Sequence, residues 1–130
     1  MRLAVDVMGG DHGPEEVLQG VRLGLAAEPG IERCFLVGRE AEIAPICARI
    51  ELAGSRVEIR PASEVITMDD DPLLGVRRKK DASVLRAVEL VRDGVADVVL
   101  SSGNTGGLLA GATFKLGRRE GVKRPALACI

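Results

Sequence analysis

An uncharged, glycine-rich turn lies inside VVLSSGNTGGLLAG, residues 98–111. β-Branched residues precede this turn and leucine and small residues follow it, which predicts a strand that leads through the turn into a helix. Gly103 and Gly106 allow a ligand to approach backbone N–H groups at the start of that helix, and Asn104 and Thr105 add neutral donors. These features suit a phosphate group or a developing oxyanion. The structural alternative is a tight turn in which Thr105 is the N-cap of the helix.

A second polar stretch, DVMGGDHG, ends the first predicted strand near the N-terminus. Asp6 lies at the end of that strand, and Asp11 comes directly after the paired Gly9 and Gly10. Carboxylates at these positions could orient a substrate, bind a cation or cap the next helix, and capping is the structural alternative for Asp11. His12 is the only histidine of the chain, and a solvated side chain is the simpler interpretation of it than a general base.

A third stretch, RRKKD, places Arg78, Lys79 and Lys80 directly before Asp81. A run of cations ahead of a helix that starts near the same sheet edge suits a phosphate group or an acidic partner, and the structural alternative is a solvated face. Asp81 is expected to be the N-cap of that helix. The acidic run at 69–71 is interpreted as a solvated loop that balances these cations rather than as a cation site.

Short apolar runs alternate with helical patterns along the chain. Strands are predicted at 3–7, 34–38, 57–60, 96–100 and 125–130. Amphipathic helices are predicted after the first, second and fourth strands and, beginning at Asp81, directly before the fourth. Residues 61–80 have no clean period and are predicted to form a long loop with a helical turn. The apolar face predicted for the last helix consists of Leu108, Leu109, Ala112 and Leu116.

This alternation predicts an α/β fold, a Rossmann-like three-layer parallel sheet with helices on both faces. Residues 1–130 are expected to be the N-terminal part of a single α/β domain that stops after a fifth strand, because no polar tail follows PALACI. In such sheets ligands bind at the carboxyl ends of the strands. The three polar stretches are therefore expected to meet at that edge.

Composition argues against several classes of function. The chain has 18 basic and 19 acidic residues and a net charge of -1, so no overall field draws it to nucleic acid or to an anionic membrane. It has no Trp, no Tyr and only two Phe, which leaves few platforms for stacking bases. The aspartate in MRLAVDV interrupts the apolar region that a signal peptide needs, and the uncharged window at 98–114 is too polar for a membrane span.

The cysteines indicate a cytosolic protein. Cys34, Cys47 and Cys129 each lie in an apolar run, and no two of them have C-x-x-C spacing. They are interpreted as buried thiols. Neither a metal nor a cofactor is expected.

Four stretches, taken together and in this order, resemble the PlsX-type phosphate acyltransferases. They are AVDVMGGDHGP, ASEVITMDDDPLLGVRRKKDAS, SSGNTGGLLAGA and LGRREGVKRPALA, and they extend over the whole chain. The resemblance implies the first part of a longer cytoplasmic enzyme of phospholipid synthesis, which makes acyl phosphate from acyl-acyl-carrier-protein and inorganic phosphate. It also implies a fold similar to the isopropylmalate dehydrogenase and phosphotransacetylase group, a homodimer, and peripheral contact with the membrane surface.

The resemblance also implies a set of site residues. The positions that match the family's glycine and charge motifs are Asp6, Gly9, Gly10, Asp11, Arg78, Lys79, Lys80, Asp81, Gly103, Asn104, Thr105 and Gly106. Asn104 is the candidate oxyanion donor, and the others are candidates for binding phosphate or the substrate. The family's pattern does not require histidine at position 12, so His12 is given no general-base role.

Other functions remain open from the sequence. One is a phosphotransacetylase-like enzyme that uses acyl-coenzyme A, and another is a non-catalytic domain that binds phosphate or an acyl carrier protein. A dehydrogenase of the same broad fold is disfavoured because the glycine-rich turn lacks the dinucleotide-binding pattern G-x-G-x-x-G. A P-loop nucleotidase is disfavoured because the turn also lacks the pattern G-x-x-x-x-G-K-[ST]. The sequence also leaves open whether the turn binds phosphate or the thioester carbonyl.

Overall fold

Four parallel strands form one sheet in residues 1–126, which are the residues that the computed structural model describes. The strands are β1 (Arg2–Asp6), β2 (Arg33–Gly38), β3 (Val57–Pro61) and β4 (Val98–Ser101). Their order across the sheet is β3-β2-β1-β4, so the chain adds β2 and β3 on one side of β1 and β4 on the other. In open α/β sheets ligands bind outside the carboxyl ends of the strands at the point where the strand order reverses, which here lies between β1 and β4.

Five helices accompany the sheet within these residues. They are α1 (Pro14–Ala27), α2 (Glu40–Arg49), α3 (Pro72–Arg78), α4 (Ser83–Arg92) and α5 (Thr105–Leu116). Pro14 occupies the first turn of α1 and two glutamates follow it at the positive end of the helix dipole, as the sequence predicted.

The short helix α3 corrects the prediction of a long loop over 61–80. The Asp71 side chain accepts a hydrogen bond from the Leu74 N–H at 2.8 Å, and Pro72 begins the helix. A side-chain cap followed by proline is a favourable helix start even where apolar residues have no helical period. The acidic run therefore ends in a cap rather than in a fully solvated loop.

The sheet is the middle of three layers. Leu3 and Val5 of β1 point to the face that α1 and α2 cover. Ala4, between them, points to the opposite face, where it packs in one cluster with Ala87 of α4. The helix α5 extends this second layer by packing against α4, and α3 packs in turn against α5. The predicted three-layer, Rossmann-like α/β fold is confirmed.

The helix α5 buries only part of the face predicted for it, since Leu108 packs against the cluster that contains Leu85 but the fully buried residues are glycines. Its buried residues are Gly107 and Gly111, whereas Leu116 is 47% exposed. A Cβ atom at Gly111 would lie 2.7 Å from the Leu85 Cδ2 atom, so the missing side chain allows α5 to approach α4 closely. The prediction followed the large apolar residues and for that reason missed a contact made through glycine.

The four strands lie within two residues of their predicted positions. The fifth predicted strand, at 125–130, falls mostly on residues 127–130, which lie outside the described residues, and it stays a prediction. Cys34 and Cys47 are buried as predicted, while Cys129 also lies outside the described residues. None of the helices in residues 1–126 combines the length and the hydropathy needed to cross a membrane.

Candidate functional site

The glycine-rich turn and the N-terminal glycine pair touch each other at the carboxyl ends of β1 and β4. A Cβ atom built on Gly9 would lie 2.8 Å from the Gly103 N atom and 3.0 Å from its Cα atom. Gly10 has a φ of 102°, and a Cβ atom there would lie 2.9 Å from the Ser102 Oγ atom. Only glycine allows these two backbone segments to meet. We call this contact the glycine junction.

A buried carboxylate holds the base of the glycine junction. Asp6 is only 3% exposed and accepts hydrogen bonds from the Ser83 Oγ at 2.5 Å and from the Ser101 Oγ at 2.7 Å. Ser83 begins α4 and Ser101 ends β4, so one side chain joins three elements. Two hydroxyl donors offset the cost of burying this carboxylate.

Ser83 and Ser101 are functional candidates that the sequence analysis did not single out. Each is a small polar residue beside an apolar run, and the residue type alone carries no chemical signal. Ser101 could have been found from its place directly after a predicted strand, at the same sheet edge as Asp6. For Ser83 the only signal was its position two residues after Asp81 at the start of a helix.

Asn104 is the N-cap of α5. Its Oδ1 atom accepts a hydrogen bond from the Gly107 N–H at 2.9 Å, and its Nδ2 donates to the carbonyl oxygens of Thr67 at 3.0 Å and Asp70 at 3.1 Å. The alternative in which Thr105 caps the helix is wrong, because Thr105 is already its first residue. Asn104 therefore fastens the loop before α3 to the glycine-rich turn. For its Nδ2 group to meet an oxyanion, one of these two hydrogen bonds would have to break.

Lys79 belongs to the same loop contact. Its Nζ lies 2.5 Å from the Asp70 Oδ2 and 2.7 Å from the Val65 carbonyl oxygen. The hydrogen bond from Lys79 and a second one from the Thr67 N–H lower the pKa of Asp70. One cation of the basic run is thus paired with one carboxylate of the acidic run, as the charge balance of the two runs indicated. This pair also fixes the end of α3 against the loop.

Arg78 and Lys80 flank this pair and are exposed, and neither takes part in a salt bridge with any residue of the described chain. The chain continues from them into Ser83, whose hydroxyl contacts Asp6. The basic run is therefore connected to the glycine junction through the first residue of α4. Neither cation is engaged by a carboxylate of the described residues, so both remain available to an anion.

Asp81 is not the N-cap of α4, which corrects the prediction. Ala82 occupies that position, because the Asp81 carboxylate is already engaged by residues on either side. Its Oδ2 accepts hydrogen bonds from the Ser63 N–H at 2.8 Å and the Ser63 Oγ at 2.6 Å, and its Oδ1 accepts one from the Arg86 Nε at 2.7 Å. The hydrogen bonds from Ser63, followed by that from Arg86, lower the pKa of Asp81 to about 2.

Acidification is expected to weaken the fold between about pH 4 and pH 2, in part through Asp81. The pKa of Asp81 is lower in the folded chain than in the unfolded chain, so its contribution to stability is complete above about pH 4 and is lost as the pH falls toward its folded pKa. Asp81→Asn should reduce the slope of the free energy of unfolding against pH in this range, measured by urea denaturation.

The matched control for this titration is Asp97→Asn. Arg2 lowers the pKa of Asp97 to about 2 as well, but Asp97 lies at the opposite end of the sheet. Each single variant should therefore remove part of the slope, and the double variant should remove more than either. An Asp81→Asn protein with the wild-type slope would contradict the role given to Asp81.

Three other predicted residues lie at the rim of the glycine junction. Asp11 is exposed and does not cap α1, because Gly13 occupies the N-cap position and no side chain caps the helix. Thr105 is exposed at the start of α5. Gly106 packs against Pro72, and a Cβ atom built on Gly106 would lie 2.7 Å from the Pro72 Cγ atom. Within residues 1–126, no group of three or more His, Cys, Asp or Glu side chains is arranged to hold a metal ion.

A groove with a volume of about 700 Å³ opens from the glycine junction and runs between α1 and β4. Its polar end is lined by Asp6, Gly9, Gly10, Asp11, Ser101 and Ser102. The rest of its surface is mainly apolar and includes Leu3, Val5, Val17, Val21 and Leu100. We call this cavity the α1 groove. The site thus combines a polar junction at the sheet edge with an apolar channel beneath it.

The whole chain, residues 1–130, matches the model of a protein family described as "Fatty acid synthesis protein". It is 46% identical, over 98% of its length, to a phosphate acyltransferase of Exiguobacterium sp. and 48% identical, over 97% of its length, to one of Streptococcus suis. A phosphate acyltransferase of Myxococcus xanthus is 44% identical over 100% of the chain. The chain spans 38%, 36% and 36% of the lengths of these three relatives. This protein therefore belongs to the fatty acid synthesis protein family.

Proposed function

We propose that this protein takes part in the transfer of an acyl group from acyl-acyl-carrier-protein to inorganic phosphate, which yields acyl phosphate and free carrier protein. The observation that carries the proposal is the glycine junction, where Gly9 and Gly103 meet beside the buried Asp6. This junction lies in a chain 44% to 48% identical to three phosphate acyltransferases. It provides small, polar surroundings at the sheet edge where a ligand is expected.

The proposed reaction needs positioning and charge control more than a reactive side chain. A phosphate oxygen attacks the thioester carbonyl carbon, and the resulting tetrahedral intermediate carries its negative charge on the former carbonyl oxygen. The C–S bond then breaks, the acyl–phosphate bond remains, and the thiolate leaves and takes a proton from solvent. Holding the two reactants in line lowers the barrier because the reaction becomes effectively unimolecular.

Backbone N–H groups at the start of α5 are the candidate donors to the developing oxyanion. Thr105 and Gly106 are the first two residues of this helix, so no helical carbonyl can accept from their N–H groups. The Asn104 side chain already satisfies the third, that of Gly107. A neutral pair of donors at a helix N-terminus stabilises negative charge, and the loss of one such donor typically raises a barrier by about 3 kcal/mol.

The exposed cations of the basic run are the candidate phosphate ligands. Within residues 1–126 Arg78 and Lys80 form no salt bridge, whereas Lys79 is paired with Asp70. In this arrangement the uncharged turn donates hydrogen bonds to the carbonyl oxygen, and the basic run binds the phosphate. Asp6, enclosed by two serines, would keep the turn and α4 in place rather than contact the substrate.

Asn104→Ala is expected to lower kcat/KM for acyl-phosphate formation by at least about tenfold, which corresponds to 1.4 kcal/mol. The substitution removes the cap of α5 and both hydrogen bonds to the loop before α3. Asn104→Asp is the matched control, since it keeps an oxygen acceptor for the Gly107 N–H but has no donor for the loop. An unchanged kcat/KM in Asn104→Ala would remove Asn104 from the mechanism.

Lys79→Ala combined with Lys80→Ala is expected to raise the KM for phosphate or for the acylated carrier protein. Among the single variants, Lys80→Ala should account for most of this effect, because Lys79 is held by Asp70. Arg22→Ala removes one exposed cation from α1, outside the basic run, and serves as the charge-matched control for the single variant Lys80→Ala. Wild-type KM values for both substrates in the double variant would show that the basic run is only a solvated face.

The decisive experiment measures phosphate-dependent consumption of acyl-acyl-carrier-protein, with acyl-coenzyme A tested in parallel. Acyl-phosphate formation from the carrier-protein thioester supports the proposal, whereas turnover of the coenzyme A thioester alone would indicate a phosphotransacetylase-like enzyme. Calorimetric binding of phosphate or of the carrier protein without turnover would instead indicate a binding domain. We further propose a cytoplasmic homodimer that contacts the membrane surface peripherally, which sedimentation and vesicle flotation can test.

A further inference from the structure

We propose that Lys79 is a positioning residue, which acts through Asp70 and Asn104 to hold the N–H donors at the start of α5 in place. This role rests on the proposed function, which supplies the reaction that these donors serve. In the simplest interpretation of the basic run, by contrast, every cation binds phosphate or an acidic partner. The contacts that carry the proposal join residues 65–79 to residues 104–107.

The Lys79 ammonium group binds the carboxylate oxygen that closes a turn at residues 67–70. The Asp70 Oδ2 atom, 2.5 Å from the Lys79 Nζ, also accepts hydrogen bonds from the Thr67 N–H at 2.7 Å and the Thr67 Oγ1 at 3.1 Å. The Asp70 N–H donates in turn to the Thr67 carbonyl oxygen at 3.2 Å. The Lys79 Nζ also donates to the Val65 carbonyl oxygen at 2.7 Å, shortly before the turn. One cation therefore holds both the turn and the chain that enters it.

The carbonyl oxygens at the two ends of this turn are the acceptors for the Asn104 side chain. Its Nδ2 donates to Thr67 at 3.0 Å and to Asp70 at 3.1 Å. These hydrogen bonds fix which end of the side-chain amide faces α5, because only the nitrogen of an amide can donate to a carbonyl oxygen. With Nδ2 directed at the turn, Oδ1 faces the Gly107 N–H at 2.9 Å. A shift of the turn would therefore rotate the amide and release the cap of α5.

Apolar packing should keep the loop folded when the Lys79 charge is removed. Ile66 is 4% exposed, and its Cγ2 would lie 3.1 Å from a Cβ atom built on Gly75 of α3 and 3.2 Å from one built on Gly107 of α5. This packing holds the loop beside α5 but does not fix the direction of the Asn104 amide. Misplacement of a reacting or catalytic group by about 1 Å slows a reaction by up to about a hundredfold. Loss of the charge should therefore affect the rate of the reaction more than the stability of the fold.

The kinetic test compares Lys79→Met with Lys80→Met, which make the same change at neighbouring positions of the basic run. Lys79→Met should lower kcat for acyl-phosphate formation by at least about tenfold and leave the KM for phosphate within about twofold, because an oxyanion forms only in the transition state. Lys80→Met should act mainly by raising the KM for phosphate. A raised KM with the wild-type kcat in Lys79→Met would identify Lys79 as a phosphate ligand and overturn the proposal. Circular dichroism checks that both variants are folded.

The control for the loss of an ion pair is Lys115→Met. The Lys115 Nζ lies 2.7 Å from the Glu89 Oε1, and its side chain is 30% exposed, against 31% for Lys79. This pair joins the last turn of α5 to α4, at the opposite end of the helix from Asn104. Lys115→Met should therefore keep kcat within about twofold of the wild-type value. An equal fall of kcat in Lys115→Met and Lys79→Met would show that any loosening of α5 slows the reaction, and it would overturn the role given to Lys79.

Amide hydrogen exchange tests the same contacts without turnover. The Gly107 N–H should exchange at least about tenfold faster in Lys79→Met and in Asp70→Ala than in the wild type, because both changes release the Asn104 cap. The double variant should exchange no faster than Asp70→Ala, since both residues act through one contact. Wild-type exchange at Gly107 in Lys79→Met would overturn the proposal, even in a protein that forms acyl phosphate. Faster exchange in a protein that forms none would retain the positioning of α5 and remove the proposed function.

Discussion

Gly9→Ala is expected to lower the free energy of unfolding by about 1 to 3 kcal/mol and to abolish acyl-phosphate formation. The added Cβ atom would lie 2.7 Å from the Asp6 Oδ2 and 2.8 Å from the Gly103 N atom. Neither neighbour can move freely, because Asp6 is held by two serines and the Gly103 N–H donates to the Ser101 Oγ at 3.2 Å. The substitution would therefore push the glycine-rich turn away from β1 and displace the start of α5.

Gly20→Ala is the matched control for stability. A Cβ atom at Gly20 meets nothing within 4 Å, and alanine favours the helix by up to about 1 kcal/mol relative to glycine. Urea denaturation should thus show opposite signs for the same chemical change at two positions. A Gly9→Ala protein as stable as the wild type would mean that the junction is looser than these distances indicate.

The strands and their order of appearance could be predicted because each is a short apolar run bounded by glycine, proline or charge. The parallel arrangement followed from the alternation with helices. The convergence of DVMGGDHG and SSGNTGG also followed, because both stretches end strands of one parallel sheet. The rule that polar loops meet at the carboxyl ends of parallel strands could not predict the atomic contact itself, in which Gly9 lies directly against Gly103.

The caps were predicted less well than the elements, and for Asp81 the structure shows the physical reason. Asp81, Asp11 and Thr105 all have side chains that can cap a helix, but the caps of α4, α1 and α5 lie at Ala82, Gly13 and Asn104. A capping side chain is available only if no tertiary partner engages it first, and Asp81 is engaged by Ser63 and Arg86. Such partners are distant in sequence and leave no local signal.

The sequence also could not show which cation of the basic run is paired with a carboxylate, because the partner is distant in sequence. Four adjacent basic residues look equivalent in the sequence, yet Lys79 is paired with Asp70 while Arg78 and Lys80 are exposed. Which member of such a run pairs depends on where the acidic loop turns, and Asn104 sets that turn by binding two of its carbonyl oxygens. The site residues therefore divide into groups free to meet a ligand and groups that hold the others in position.

Asp6→Ala is expected to lower the free energy of unfolding by about 3 kcal/mol. It removes the acceptor of two hydrogen bonds to a charged group and leaves the Ser83 hydroxyl, on a residue 1% exposed, without a partner. The kcat/KM for acyl-phosphate formation should fall even under conditions in which the variant is still folded, because β4 and α4 would no longer be tied to β1 at the glycine junction. Asp11→Ala, which removes an exposed carboxylate of the same loop, should change the free energy of unfolding by less than about 0.5 kcal/mol.

A double-mutant cycle separates the carboxylate network from a general effect of removing charge. If Asp6 acts through Ser83, then Ser83→Ala should cost much less stability in the Asp6→Ala background than in the wild type, with an interaction energy of at least about 1 kcal/mol. The same should hold for Ser101→Ala, because the Ser101 hydroxyl donates the other hydrogen bond to Asp6, at 2.7 Å from its Oδ2 atom. Additive losses in both cycles would show that Asp6 does not couple the three elements, and the junction would then depend on glycine packing alone.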